Sequence, residues 1–204
     1  MKRLDERGQG LVEFTMVVPI VLLIVVSVAE LGIMYGDLLT VGYGSREGAR
    51  VGSALATGDV EGCSGGSDPK GVDAALVSAV QRIIKSPGSG IDAADVQQIR
   101  IFKADSAGGE IAGKVNVWAY VGEGQGPEVD PGPGIVKIDF APTAAPWPAC
   151  VRVNNGSSPD SIGVTVRYRY TFINPLASVL DAITGGAINL TLNETTVMAL
   201  NPSA

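Results

Sequence analysis

The chain has 204 residues, 46% of them hydrophobic, 18% charged and 5% aromatic, with a mean hydropathy of +0.26; that is enough for one ordinary core plus an appendage and too apolar for a disordered polar chain. Its 21 acidic and 15 basic residues give a net charge of −6, so the basic face of a nucleic-acid binder is missing and no nucleic-acid partner is expected. The absence of histidine removes the commonest general base and metal ligand, which argues against an enzyme and leaves no cofactor or metal implied.

The surplus apolarity lies at the front. Phe14 to Ala29 (FTMVVPIVLLIVVSVA) carries no charge, and the extension to Gly36 adds only Glu30. As a helix, Phe14 to Gly36 reaches roughly 35 Å, enough for a hydrocarbon core of about 30 Å. Pro19 within it is tolerated better in a membrane helix than in a soluble one. Lys2, Arg3 and Arg7 precede the segment, and the next basic residues are Arg46 and Arg50. The positive-inside rule therefore keeps the first residues cytoplasmic and exports everything after about residue 37. A cleavable signal peptide, cut before Glu30 behind the small residues Ser27 and Ala29, and an uncleaved single-pass anchor are the alternatives. Against the former, Leu31, Ile33, Met34, Leu38 and Leu39 continue the helical spacing past that cut.

Ahead of the apolar run stands Gly8-Gln9-Gly10-Leu11-Val12-Glu13-Phe14. A carboxylate entering a bilayer is costly and usually has a use. A peptidase cut after Gly8 would create a positive amino terminus at Gln9, about one turn from Glu13 and at the positive end of the helix dipole. Gly32 and Gly36, then Gly44, Gly48 and Gly52, recur at four-residue steps and line a stripe that lets another helix backbone come close. Glu30 is either interfacial or paired across helices.

Residues 7 to 52, RGQGLVEFTMVVPIVLLIVVSVAELGIMYGDLLTVGYGSREGARVG, resemble the TadE-like family of the tight-adherence (Tad) branch of type IV pilins. The resemblance is carried by Gly8, Glu13 and Phe14, by Pro19, by Glu30-Leu31-Gly32 and by Ser45-Arg46-Glu47-Gly48-Ala49-Arg50. Val164 to Leu176 (VTVRYRYTFINPL) looks like a second stretch of such proteins. The resemblance implies a minor pilin or pseudopilin, cut by a prepilin peptidase between Gly8 and Gln9. Glu13 then becomes the fifth residue of the mature chain and neutralises a neighbour's free amino terminus in a helical bundle. The implied partners are the prepilin peptidase, other Tad pilins, the inner-membrane assembly platform and the membrane itself. The second glycine, Gly10, leaves a cut after that residue open, although it puts Glu13 only three residues from the new terminus.

Three parts follow: a cytoplasmic leader over 1–8, a TadE-like transmembrane and extended helix over 9–52, and an exported domain over 53–204. That last part holds 10 basic and 15 acidic residues, so nearly all the net charge belongs to it. Asp68-Pro69 reads as a helix start. Val72, Leu76, Ala79, Val80 and Ile83 then recur at helical spacing, and Ser86-Pro87-Gly88 ends the helix. The period next shifts to two, predicting strands over Val96 to Lys103, Lys114 to Val121, Val136 to Phe140, Ala149 to Val153 and Ile162 to Phe172. A short helix over Leu176 to Ile183 and a last strand over Ala187 to Leu200 complete the pattern. The expected fold is α+β: a long transmembrane helix followed by an antiparallel-sheet domain with packed helices.

Cys63 and Cys150 are the two cysteines. On the oxidising side they are expected to pair, closing a loop of about ninety residues and contributing ~4 kcal/mol in the loop-entropy account; two free thiols are the alternative. The loop from Gly122 to Gly134, with Glu123, Glu128 and Asp130, reads as a flexible surface loop rather than a phosphate or calcium cradle. Asp92 and Asp95, the carboxylates a hydrolase would need, read as a cap before a strand. Trp118 and Trp147 read as core or interface residues.

Overall fold

The structure is a computed structural model and describes residues 5–55, 71–130, 134–154, 158–173, 182 and 190–200. The chain divides into two compact units, one formed by Met1–Gly36 with Tyr170–Leu190, the other by Asp37–Arg169 with Thr191–Ala204. The fold is α+β: a long apolar amino-terminal helix, then an antiparallel sheet with a further helix.

Helix α1 runs unbroken through Asp5–Leu55, with Pro19 inside it. It extends past the expected 9–52 at both ends, because backbone hydrogen bonding continues into the charged residues before Gly8 and past Gly52 as far as Leu55. The smaller unit contains its first part and the segment that begins at Tyr170.

The larger unit is built on helix α2 (Val72–Ile84) and a five-stranded sheet. Helix α2 starts behind Gly71, which sits in the left-handed region at φ 59° and offers no side-chain cap. The expected start at Asp68-Pro69 lies outside the described residues. Ser86 closes the helix by donating its N–H to the carbonyl of Ile83 at 3.1 Å, and Gly88 (φ 89°) turns the chain away. Val72, Leu76, Ala79 and Val80 are buried as the spacing predicts, together with Val77, and Ile84 is buried where Ile83 was expected.

The strands are β1 (Val96–Ala104), β2 (Glu110–Tyr120), β3 (Glu128–Val129), β4 (Val136–Lys137), β5 (Phe140–Ala144), β6 (Ser161–Tyr170) and β7 (Leu190–Ala199). The main sheet has the order β5-β2-β1-β6-β7, and β3 and β4 form a separate ribbon. Strands β1 and β2 pair antiparallel through Ile99↔Trp118, β1 and β6 through Ile101↔Val164, and β2 and β5 through Ala119↔Ala141. Phe102 lies opposite Gly163, where a Cβ would come within 2.2 Å of the ring, so the glycine is a packing requirement. Leu76, Val80 and Ile84 of α2, Ile99, Ile101, Val164 and Val166 of the sheet, and Val41 and Ala49 of α1 are all buried and form the core of this unit.

Two expectations are corrected. Ala149 to Val153 is not a strand: Ala149–Val151 is a 3₁₀ turn behind Pro148, closed by Val151 N–H to Pro148 O at 3.1 Å and Arg152 N–H to Ala149 O at 3.2 Å. Alternating Val151 and Val153 suggested extension, but Val151 and Arg152 bond back along the turn, and Val153 meets Asp160, accepting from its N–H at 2.7 Å and donating to its carboxylate at 3.0 Å. The Gly122 to Gly134 stretch is not an unstructured loop over its described part. Gly126 N–H donates to Ile138 O at 2.8 Å, Gly124 N–H to Asp139 Oδ1 at 2.9 Å, and β3 pairs with β4. The short helix expected over Leu176 to Ile183 falls outside the described residues except for Ala182, which is helical.

Candidate assembly helix and the contacts that hold it

Gly8, Gln9, Gly10, Glu13 and Phe14 are all exposed on the first turns of α1. The Gln9 amide donates to the Glu13 carboxylate, Nε2 to Oε1, at 3.0 Å, a one-turn pairing that follows from i, i+4 spacing. Beyond it the helix is apolar on every side and bare. Leu11 is 69% exposed, Phe14 67% and Val28 64%, with Met16, Ile20, Leu22 and Ile24 similar. A helix apolar all round is stable only where lipid or other helices cover it. Its two hydroxyls fit such a setting, since Thr15 donates to Leu11 O and Ser27 to Leu23 O, both at 2.7 Å, satisfying themselves within the helix. Among the described residues this is one helix long and apolar enough to cross a membrane.

Glu30 interrupts the bare stretch, which resumes with the exposed Leu31, Ile33 and Tyr35. Its side chain is 2% exposed and accepts from the Tyr170 hydroxyl at 2.6 Å and from the Ile173 backbone N–H at 3.0 Å, both through Oε1. Phe172 meets the Tyr170 ring edge-on at 5.3 Å. Within the chain, the end of β6 and the residues after it supply this carboxylate with a phenol and a backbone amide. A buried carboxylate needs such donors.

In the larger unit the rest of α1 is seated by small residues. A Cβ at Gly48 would lie 2.6 Å from Val80 Cγ2 and 3.3 Å from both Leu76 Cδ2 and Val164 Cγ1. At Gly52 it would lie 2.6 Å from Leu76 Cδ1 and 2.9 Å from Ile162 Cδ1. Gly44 meets Val80 at an ordinary 3.5 Å, whereas a Cβ at Gly32 or Gly36 meets nothing within 4 Å. The glycine stripe thus has two parts, and its carboxyl-terminal part faces α2 and β6 of the same chain. Ser45, buried beside it, shares a 2.9 Å hydrogen bond with the Thr196 hydroxyl. Asp37 is 4% exposed and accepts from the Tyr168 hydroxyl at 3.3 Å. Burial, then the charge of Asp37, pushes the Tyr168 hydroxyl well above the usual phenol range.

A second buried polar cluster braces the same unit. Arg152 Nη2 meets Asp73 Oδ1 at 2.6 Å, and the guanidinium lies 4.5 Å over the Trp147 ring. Asn116 donates to Asp73 Oδ2 at 2.7 Å and to Trp147 O at 2.8 Å, and accepts from Trp147 N–H at 2.8 Å. Trp118 and Trp147 are both buried. Asp92 caps the 3₁₀ turn Ala93–Asp95 by accepting from Ala94 N–H, and Asp95 pairs with Arg169 at 2.9 Å. Cys63 lies outside the described residues. Cys150 sits in the turn after Pro148, and there is no free cysteine among the described residues.

Sequence reasoning missed Tyr168, Tyr170, Asp73, Asn116 and Arg152. A signal for the tyrosines existed. In Val-Arg-Tyr-Arg-Tyr the period of two puts both on one strand face, and Glu30 and Asp37, seven apart, share one face of a helix. Each acid turns out to have one of those tyrosines as its donor.

These features define a class, a protein with one bare amino-terminal helix of membrane-spanning length that continues into the core of an α+β domain. Residues 8–50 match the family model described as TadE-like protein, in agreement with the resemblance read over 7–52; the match does not include the Val164 to Leu176 stretch. No curated protein and no solved structure matches the chain.

Proposed function

We propose that this protein is a minor pilin or pseudopilin that takes part in assembly of a Tad-type adhesive pilus. The observation that carries the reading is the TadE-like match over residues 8–50, lying on a helix whose side chains from Leu11 to Val28 are left almost wholly uncovered. In this reading a prepilin peptidase cuts between Gly8 and Gln9. The exposed Glu13, which the Gln9 amide already reaches in the uncut chain, then pairs with the amino terminus of a neighbouring subunit. Other Tad pilins and an inner-membrane platform are the partners.

Before assembly the chain is a single-pass inner-membrane protein with Lys2, Arg3 and Arg7 on the cytoplasmic side and the α+β domain exported. The lipid-facing stretch is read as Phe14 to Gly36, within which Glu30 is covered by Tyr170 and Ile173 while Leu31, Ile33 and Tyr35 beyond it stay exposed. At 1.5 Å per residue it spans roughly 35 Å, enough for one hydrocarbon core. Gly32, where a Cβ would meet nothing within 4 Å, is the part of the stripe this reading offers to a neighbouring helix. On the oxidising side Cys63 and Cys150 pair and tie the segment after α1 to the turn beneath Trp147.

Intact-mass and amino-terminal analysis of the protein from native membranes tests the reading. A mature terminus at Gln9 supports it. A terminus at Glu30 refutes it in favour of secretion, and an uncut chain refutes it in favour of a plain anchor.

A further inference from the structure

A cavity of about 390 Å³ opens in the α+β domain at the carboxyl-terminal end of α2, a size ordinary for small-ligand sites. Ile84, Ile91 and Tyr120 form its apolar side. Its polar side holds one ammonium, that of Lys85, and three carboxylates, those of Asp92, Glu123 and Asp139. Lys85 donates to Asp139 Oδ2 at 2.8 Å and to Glu123 Oε1 at 3.1 Å, which leaves it one further N–H. The hydrogen bond to Asp139 holds Lys85 above its ordinary value, so it stays a cation. Asp92 spends Oδ1 on the Ala94 N–H and keeps Oδ2. One cation against three carboxylates repels a purely anionic ligand, and among the described residues no three acidic side chains are grouped to hold a metal ion. A ligand that carries an ammonium and an anionic group a few atoms apart matches both signs of this wall.

The place of the cavity along the chain supplies such a ligand. Ser89 and Ile91, both in its wall, flank Gly90, and a Cβ on Gly90 would lie 2.8 Å from Asp37 Oδ1. Asp37 directly follows Gly36, the last residue of the stretch read as lipid-facing. The wall therefore meets α1 where the hydrocarbon core ends, and lipid headgroups occupy about the next 6 Å.

We propose that this cavity receives the headgroup of a phospholipid bearing a primary amine, whose ammonium donates to Asp92 and Glu123 and whose phosphate accepts from Lys85. The two-carbon link between those groups lies against Ile84, Ile91 and Tyr120. A primary ammonium has three N–H groups to give to carboxylates, whereas a quaternary one has none and is held by several aromatic faces. Tyr120 is the one aromatic ring among the described residues of this wall. The inference rests on membrane anchoring by α1 and stands whether or not the chain is cut at Gly8 or enters a pilus.

Native mass spectrometry of the full-length protein, released from micelles holding equal amounts of phosphatidylethanolamine, phosphatidylcholine and phosphatidylglycerol, tests the proposal. Single-lipid adducts are expected to favour phosphatidylethanolamine over each of the others by at least about tenfold, the effect of one hydrogen bond to a charged group. Asp92→Asn with Glu123→Gln keeps an acceptor for Ala94 and keeps the Lys85–Asp139 pair but removes both charges, and should bring the preference below about twofold. Glu123→Gln alone, at a side chain 83% exposed, should fold normally and already lower it about twofold. The proposal is overturned if phosphatidylethanolamine is retained no better than phosphatidylcholine, if the double variant keeps the full preference, or if free phosphoethanolamine or acetyl-lysine-amide at the lipid's concentration abolishes it, which would make the cavity a site for a soluble ammonium. Flotation with phosphatidylcholine vesicles reads the anchor separately: a protein that does not float refutes anchoring by α1, and one that floats without a lipid preference refutes the headgroup site alone.

Discussion

The two halves of the glycine stripe on α1 should respond to alanine in opposite ways. At Gly48 and Gly52 a new methyl lands 2.6 Å from Val80 Cγ2 and from Leu76 Cδ1, about 1 Å inside ordinary carbon contact. Overpacking of this kind costs ~1–3 kcal/mol per site, against ~1 kcal/mol recovered from replacing glycine within a helix. Both methyls press on Leu76, so the costs are not independent; the Gly48→Ala, Gly52→Ala double variant should lose roughly 2 kcal/mol net, a fall in Tm of about 5 °C for a unit of this size. Gly32→Ala with Gly36→Ala adds methyls that meet nothing within 4 Å, so its Tm should hold or rise slightly. Thermal unfolding in nanodiscs, followed by the fluorescence of Trp118 and Trp147, reads the α+β domain directly. If the 48/52 variant is as stable as the 32/36 variant, the glycines do not seat α1 on α2, and the packing argument fails. The 32/36 variant also tests the reading of an assembly helix: undiminished piliation would show that no neighbouring helix approaches there.

Arg152→Met should lose ~3–5 kcal/mol in denaturant unfolding, because it leaves Asp73 buried without its cation; a loss under 1 kcal/mol would mean that the carboxylate is neutral in the folded state. The Ile173 amide donates to Glu30, so Glu30→Ala should speed its hydrogen exchange at least about tenfold, corresponding to the ~1.5–3 kcal/mol typical of a bond to a charged acceptor. Unchanged exchange would rule out the Glu30 contact in solution. Stability should fall at both pH extremes. The Tyr168 hydroxyl is held above its ordinary value of 10.0 by burial and by Asp37, so its contribution is intact below about pH 10 and is lost as pH rises through the folded value. The Glu110 carboxylate is held below 4.5 by its hydrogen bond to Arg100, so its contribution is intact above that pH and is lost as pH falls. Tyr168→Phe should shrink the alkaline limb, leaving the part carried by Lys85, which its hydrogen bond to Asp139 holds above its ordinary value, and leave the acid limb; an unchanged alkaline limb in that variant would assign it elsewhere.

What could be read in advance follows from the range of the interaction that decides each feature. Helix α1 was legible because its apolarity is a property of consecutive residues, and β1, β2 and β6 because alternation is local too. Ala149 to Val153 alternates as well, yet Pro148 and the turn bonds behind it make it a 3₁₀ turn, since a strand exists only where a neighbour takes its hydrogen bonds. Glu30 lies further out of reach, because its donor Tyr170 is 140 residues away, and the seven-residue spacing of Glu30 and Asp37 marks a shared helix face without saying which strand meets it. A carboxylate at the end of an apolar helix invites a lipid or subunit partner when only its own surroundings are known. The pairing it makes instead has a consequence for the proposed function. A carboxylate that already accepts from a phenol and an amide of its own chain gains little by recruiting a cation from a neighbouring subunit. Glu13, exposed and accepting from the Gln9 amide, is the acid to which the proposed function gives the directing role, so Glu13→Gln should impair piliation while Glu30→Gln leaves subunit recognition intact.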